Sequence, residues 1–345
     1  MPHMIQEIRE QPDVVQCAVA AAADPVNRLV RAMADNDIRF VMIAARGTSD
    51  HAATYAKYLL EIVAGMPTSL AAPSVVTLYD GRLRLGNTLV LGVSQSGQGT
   101  DVVQVLSSAR ASGAITACIT NCAGSPITEV SDHVLLCNAG EEQAVAATKT
   151  YTTSLALVAL LAATLSDRRD LLEELRGVPD LLRRTLELEE LIERSAERYR
   201  YIRECAIVAR GINQATALEA ALKMVETCYV VAKPYSGADF QHGPIAMVEE
   251  GFPCFVYAPS GRAYAFMLET ALKIRERGGE MIVTAHDPEI LGMGRTRFEV
   301  PVQVSELLSP LVYILPGQMF AYYLSRTRGG NPDAPRGLQK VTRTA

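Results

Sequence analysis

The stretch LVLGVSQSGQGTD, Leu89 to Asp101, decides the fold. Its first half is a short continuous apolar run, the pattern of a strand buried on both faces. The run stops at Ser94, and hydroxyls, amides and glycines follow up to Thr100, where a helix is expected to start. A buried strand, a polar turn and a helix in that order form one step of a strand–helix alternation, which builds a parallel sheet with helices on both faces.

The same step recurs along the chain. Four β-rich runs lie in the first half, IRFVMIAARG, NTLVLGVSQSG, AITACITN and DHVLLCNAG, with helical periodicity between them, as in His51–Val63 and Val102–Ser112. The second half repeats the plan with ECAIVARG, FPCFVYAPSG, GGEMIVTAH and TRFEVPV. Arg46-Gly47 returns as Arg210-Gly211 and Ser96-Gly97 as Ser260-Gly261, both at an offset of 164 residues. Two equal offsets at two different strand ends mark an internal duplication. The expectation is an α/β chain of two doubly wound domains, 25–165 and 195–325. A charged helical linker, RRDLLEELRGVPDLLRRTLELEELIERSAERYRY, joins them, with leucines at helical spacing and a solvated Arg/Glu face.

Composition narrows the function. With 345 residues, 49% hydrophobic and 21% charged, the chain can bury one large core or two ordinary ones. The net charge of −5 is spread out, and no run of basic residues suits nucleic acid. The seven cysteines lack the paired short spacings of a zinc site and read as small core residues in a reducing compartment. The N-terminus MPHMIQEIRE has no basic-then-apolar signal pattern. The longest uncharged apolar run, Leu155–Leu165, falls short of the ~20 residues that span a bilayer. A cytoplasmic protein without membrane contact is expected, and neither a metal cluster nor a nicotinamide fingerprint is visible, so no cofactor is expected.

In open parallel sheets ligands bind beyond the carboxyl ends of strands. Ser94, Gln95, Ser96 and Gly97 before a helix start combine hydroxyl donors with a dipole that favours negative charge, so a phosphate is the natural guest. The loop matches neither nucleotide-phosphate fingerprint. An ordinary serine cap explains it equally well on local grounds. Thr48 and Ser49 of ARGTSD stand at the mouth of the preceding helix, and AGEEQAVAATKTYTT supplies a further polar turn before an apolar helix.

ARGTSD, SQSG, AGEEQAVAATKT, ALEAALKMVE, DFQHGP and the tail NPDAPRGLQKVTRT resemble, in one order, the tandem sugar isomerase (SIS) domains of the isomerase half of glutamine-dependent glucosamine-6-phosphate synthase. The resemblance runs from about residue 25 to the C-terminus and extends to stand-alone SIS-type glucosamine-6-phosphate deaminases, to which RGTSDHAATYAKYLLEI and AGEEQAVAATK are nearer. It implies two flavodoxin-like SIS domains and a C-terminal active-site tail, 326–345. It also implies a sugar 6-phosphate held by Ser94, Gln95 and Ser96, with Thr48, Ser49 and the Val145 backbone toward the sugar. The family usually has a phosphate-binding Thr two residues after SQSG; here Gly99 stands there, and Thr100 follows as its substitute.

Proton transfer between C1 and C2 of an open-chain sugar needs a carboxylate beside the carbon acid and a cation to steady the enolate-like charge. By resemblance Glu226 is the base and Lys223 its support; their i,i+3 spacing fits a plain solvated ion pair as well. His242, in a turn before Gly-Pro, is implied as the ring-opening acid/base, delivered across the interface of a homodimer; a surface histidine is the ordinary alternative. His51 could also touch substrate. Lys340 matches the tail lysine that forms a Schiff base with a keto sugar, where a free basic tail is the commoner fate of a terminus.

The synthase takes ammonia from a glutaminase domain that begins with a cysteine, and a chain starting MPHMIQE is expected to lack it. The first expectation is therefore a deaminase/isomerase converting glucosamine 6-phosphate to fructose 6-phosphate and ammonia. The alternatives are a synthase-like aminotransferase without its glutaminase, a fructosamine-phosphate deglycase, or a non-enzymatic sugar-phosphate sensor. Arg46, where the synthase has a small or thiol side chain, favours the stand-alone enzymes.

Overall fold

The computed structural model describes residues 2–340; the tail expectation for 341–345 falls outside them. The chain divides into two compact units, each built on one five-stranded sheet. Among the described residues, unit I comprises 13–142, 149–177 and 339–340; unit II comprises 2–12, 143–148 and 178–338.

The chain opens with α1 (His3–Arg9) and α2 (Gln11–Asp35). Unit I then runs β1 (Phe40–Ala44), α3 (Thr48–Ala64), β2 (Thr68–Leu70), α4 (Ser74–Thr77), β3 (Thr88–Val93), α5 (Thr100–Ala111), β4 (Ile115–Thr120), α6 (Pro126–Glu129), β5 (His133–Leu136) and α7 (Lys149–Leu165). The sheet order is β2-β1-β3-β4-β5, with every pairing parallel. All six residues of β3 are buried, which is why its sequence is a continuous apolar run rather than an alternation. Met42, Val90, Leu106, Cys118 and Ile127 form part of the core on one face. Helix α7, buried from Lys149 through Ala163, packs against α3.

The presumed linker is two helices, α8 (Arg169–Leu186) and α9 (Glu189–Arg198), whose Leu171, Leu175, Val178 and Leu182 are buried at helical spacing. Unit II continues with β6 (Glu204–Ala209), α10 (Gln214–Cys228), β7 (Val231–Ser236), α11 (Gly237–Gln241), β8 (Pro253–Ala258), α12 (Tyr264–Glu276), β9 (Glu280–Ala285), α13 (Pro288–Leu291), β10 (Thr296–Glu299) and α14 (Ser309–Thr327). Its sheet order is β10-β9-β8-β6-β7, the same permutation as in unit I read from the other edge. The two doubly wound parallel sheets are thus tandem copies of one flavodoxin-like topology.

Each sheet contains one strand that the apolar runs did not reveal. Both are the second strand of their repeat and both lie at an edge: β2, only TSL, and β7, VAKPYS. Edge strands are paired on one side only, so they tolerate short length, lysine and proline that a central strand excludes. Five of the seven cysteines are buried as expected, whereas Cys17 is exposed and Cys122 intermediate. No helix among the described residues is long and apolar enough to cross a membrane.

Candidate active site

In unit I the chain leaves β1 toward β2 on one side and β3 toward β4 on the other, so the neighbouring carboxyl ends of β1 and β3 form a topological switch point. The loops that emerge there are Ala45–Gly47 and Ser94–Gly99. The SQSG loop is pinned to β4 and its following turn: the Ser94 amide donates to Ile119 O at 3.0 Å, and the Asn121 amide to Gln95 O at 3.0 Å. Gly97 has φ +64°, and a Cβ there would lie 2.0 Å from Ser125 Oγ, so the tight turn requires glycine. Ser94, Gln95 and Ser96 are half-buried, and α5 begins at the exposed Thr100. Thr48 and Ser49 occupy the first turn of α3, after Gly47 at φ 55°. The structure therefore brings Thr48, Ser49, Ser94, Gln95, Ser96 and Thr100 to the adjoining loops of one switch point.

An unforeseen ion pair crosses this mouth. Arg46 Nε lies 2.6 Å from Asp101 Oδ2; Asp101 is buried in the first turn of α5, while Arg46 remains about half exposed. The carboxylate would otherwise leave uncompensated negative charge at this mouth. The guanidinium neutralises it and keeps a positive edge at the opening. Burial raises the Asp50 carboxyl above its ordinary value, against the pull of His51 and Arg46.

The AGEEQAVAATKT segment divides between the units. In unit I, Glu142 has a fully buried side chain at the start of α7: Oε1 accepts the Thr150 amide at 3.1 Å and Oε2 accepts Thr150 Oγ1 at 2.8 Å. Lys340 Nζ completes the cluster, 2.7 Å from Glu142 Oε2. Lys340, within the described part of the tail, is thus docked on a buried carboxylate. In unit II, the Val145 amide donates to Asp333 O at 3.1 Å, which commits that N–H to the tail and leaves the Val145 carbonyl as its polar backbone group. Asp333 also accepts the amides of His3 and Met4 at 2.9 and 2.7 Å.

Helix α10 of unit II carries a second constellation. Lys223 is completely buried between Glu219, 3.2 Å away, and Glu226, 2.8 Å away. The spacing i, i+4, i+7 stacks the three on one face of the helix. This is no solvated surface pair. Glu219 and Lys223 are fully inaccessible and Glu226 retains 23% exposure, so Glu226 is the member of the triad that solvent or a ligand can reach. Its Oε2 is buried against Lys223 Nζ at 2.8 Å. Burial alone would push the Lys223 ammonium down; the two carboxylates outweigh it and hold its pKa above the ordinary lysine range. Lys223 is therefore a permanent cation at neutral pH.

Glu219 and Glu142 were missed by sequence reasoning although both lie inside quoted motifs. The E-x3-K-x2-E spacing was a signal for Glu219; nothing local marked Glu142. His242 ends α11 as an exposed residue, its amide bonded to Ala238 O and Asp239 O and Gly243 following at φ 152°. It therefore occupies a turn, as the Gly-Pro that follows it suggested.

Residues 36–164 and 202–327 each match the family model described as the SIS domain. The chain belongs to the SIS domain family. It is also 34% identical over 349 residues to a protein named glutamine–fructose-6-phosphate aminotransferase [isomerizing] of Thermococcus kodakarensis, an alignment covering 98% of this chain and 58% of that protein. The chain thus spans little more than half the length of such relatives. Among solved structures, a protein provisionally described as a phosphosugar isomerase from Silicibacter pomeroyi DSS-3 is 35% identical, with a TM-score of 0.84, over 96% of this chain and 100% of that one. The C-terminal domain of glucosamine-fructose-6-phosphate aminotransferase from Francisella tularensis is 25% identical, with a TM-score of 0.84, over 96% and 98%. The first SIS domain carries the serine-rich switch point and the second carries the buried triad.

Proposed function

We propose that the chain is an aldose–ketose isomerase of an amino-sugar 6-phosphate, working as a deaminase: glucosamine 6-phosphate plus water gives fructose 6-phosphate plus ammonia. The observation that carries this reading is the Glu219–Lys223–Glu226 triad, a reachable carboxylate backed by a buried permanent cation. That is the pairing needed to move a proton between adjacent sugar carbons while negative charge develops on the intermediate. The serine-rich switch point supports a phosphate on the substrate, and the names of the relatives support an amino or keto hexose.

In this reading Ser94, Gln95, Ser96 and Thr100 hold the phosphate, and Thr48, Ser49 and the Val145 backbone face the sugar. His242 opens the ring, serving the neighbouring protomer's sugar in a homodimer. Glu226 removes the C2 proton and returns it at C1, and Lys223 steadies the charge between the two steps. The resulting C2 imine takes up water and releases ammonia. Lys340 can form a Schiff base with the keto sugar once its proton has passed to Glu142 or to solvent.

A second reading, amine transfer in the synthetic direction, is favoured by the aminotransferase names of the relatives. Incubating the protein with glucosamine 6-phosphate while measuring ammonia and fructose 6-phosphate together tests the proposal. Equimolar release of both, abolished in Glu226→Gln, is expected. Formation of glucosamine 6-phosphate from fructose 6-phosphate and ammonia, with no release in the forward assay, favours the second reading. Tight binding of the sugar phosphate with turnover in neither direction leaves a sensor.

A further inference from the structure

The amino ends of β6 and β7 in unit II border a cavity of about 470 Å³. Its lining includes three guanidiniums, Arg203, Arg328 and Arg336, together with Tyr229, Val231 and Cys228; no Asp or Glu lines it among the described residues. The arginines come from three separate segments: the turn before β6, the end of α14 and the tail.

Two of them are held in place. Arg328 Nη1 donates to Ile202 O at 2.7 Å. The Arg336 guanidinium lies over the Tyr229 ring, 4.1 Å from its centroid, and its amide donates to Tyr229 Oη at 2.9 Å. Tyr229 itself ends α10 in the left-handed conformation, φ 57° and ψ 35°, which a bulky L-residue adopts only under constraint from its surroundings. None of the three arginines forms an ion pair with a described residue.

Three positive groups around one cavity raise one another's energy, and an anion with several oxygens relieves it. Guanidinium forks suit phosphate oxygens in particular. The cavity exceeds what a bare inorganic ion fills and lies in the range of small-molecule sites. Val231, 69% exposed, and Tyr229, 39% exposed, supply an apolar wall that an inorganic ion would leave unused. Burial pushes the Cys228 thiol up to about 12, with only partial relief from Thr227 and Arg328, so the cavity holds no ready nucleophile and suits binding rather than reaction.

We propose that this cavity is a second anion site, separate from the serine-rich switch point, which takes an organic phosphate monoester with its phosphate on Arg203, Arg328 and Arg336 and its organic body against Tyr229 and Val231. Because Arg336 stands four residues before Lys340, occupancy would also fasten the tail. The inference is independent of the reaction proposed above.

The test uses the full chain with Ser94→Ala/Ser96→Ala, which removes the hydroxyls of the switch-point loop, titrated calorimetrically with phenyl phosphate and with inorganic phosphate. One site per chain is expected, tighter for phenyl phosphate. Adding Arg203→Ala/Arg336→Ala is expected to weaken it at least tenfold. Both arginines are exposed, and an unchanged circular dichroism melt would show that the fold survives their loss. Absence of binding in the serine variant, or binding unaffected by loss of the arginines, overturns the site. Equal affinity for the two probes overturns the assignment of an organic ligand.

Discussion

Replacing Lys223 with methionine keeps most of the side-chain volume and removes one charge from the middle of the α10 triad. Glu219, completely inaccessible, is then left without its cation, while the partly exposed Glu226 can turn toward water. Removing one partner of a buried ion pair costs about 3–5 kcal/mol, because the remaining charge stays desolvated. With a urea dependence of about 2 kcal/mol per molar, unfolding of unit II is expected near 2 M lower denaturant. Circular dichroism is the suitable probe, since the chain has no tryptophan. The double variant Glu219→Gln/Lys223→Met removes both fully buried charges and is expected to recover most of the loss. The pH dependence has a definite sign. The folded-state pKa of Lys223 is raised, so its contribution is fully present below the unfolded lysine value of about 10.4 and fades only as pH climbs through the higher folded value. The Lys223 charge itself therefore contributes no pH dependence to stability between pH 6 and pH 9. A loss under about 1 kcal/mol, or a double variant as unstable as the single one, would refute the argument that the triad is a desolvated, mutually dependent unit.

Other consequences can be tested separately. Arg46→Met leaves the Asp101 carboxylate un-neutralised beside the SQSG loop, and on the proposed reading KM for the sugar phosphate should rise about tenfold, a figure that allows for the exposure of Arg46. Asp101→Asn in the same background should restore most of that loss, and a KM that stays high would show that Arg46 acts otherwise. Glu142→Gln weakens a charge-assisted anchor of Lys340, so trypsin should cut after Lys340 roughly tenfold faster, an increase corresponding to about 1.4 kcal/mol. A cleavage rate equal to wild type would mean that the ion pair does not hold the tail.

The alternation of strand and helix, the duplication at an offset of 164 residues and the carboxyl-end position of the SQSG loop are all legible in the sequence. Each rests on local rules: a strand covered on both faces must be apolar throughout, and a tight turn before a helix needs glycine and hydroxyl residues. Gly97 shows how far such rules reach, since its positive φ is a local demand, whereas its collision partner Ser125 belongs to another loop.

The two edge strands lay beyond that reach because pairing on one side imposes little pattern on TSL or VAKPYS. So did the charges that matter most. Arg46 meets Asp101 across 55 residues, and Lys340 meets Glu142 across 198. Local pattern accounts for the strands other than β2 and β7, for the strand–helix alternation and for the loops that emerge at the carboxyl ends of the sheets. Only the tertiary structure decided which carboxylates and cations are buried together. Burial of a charge depends on the sheet order and on what packs above it, and neither is encoded in the spacing of neighbouring residues.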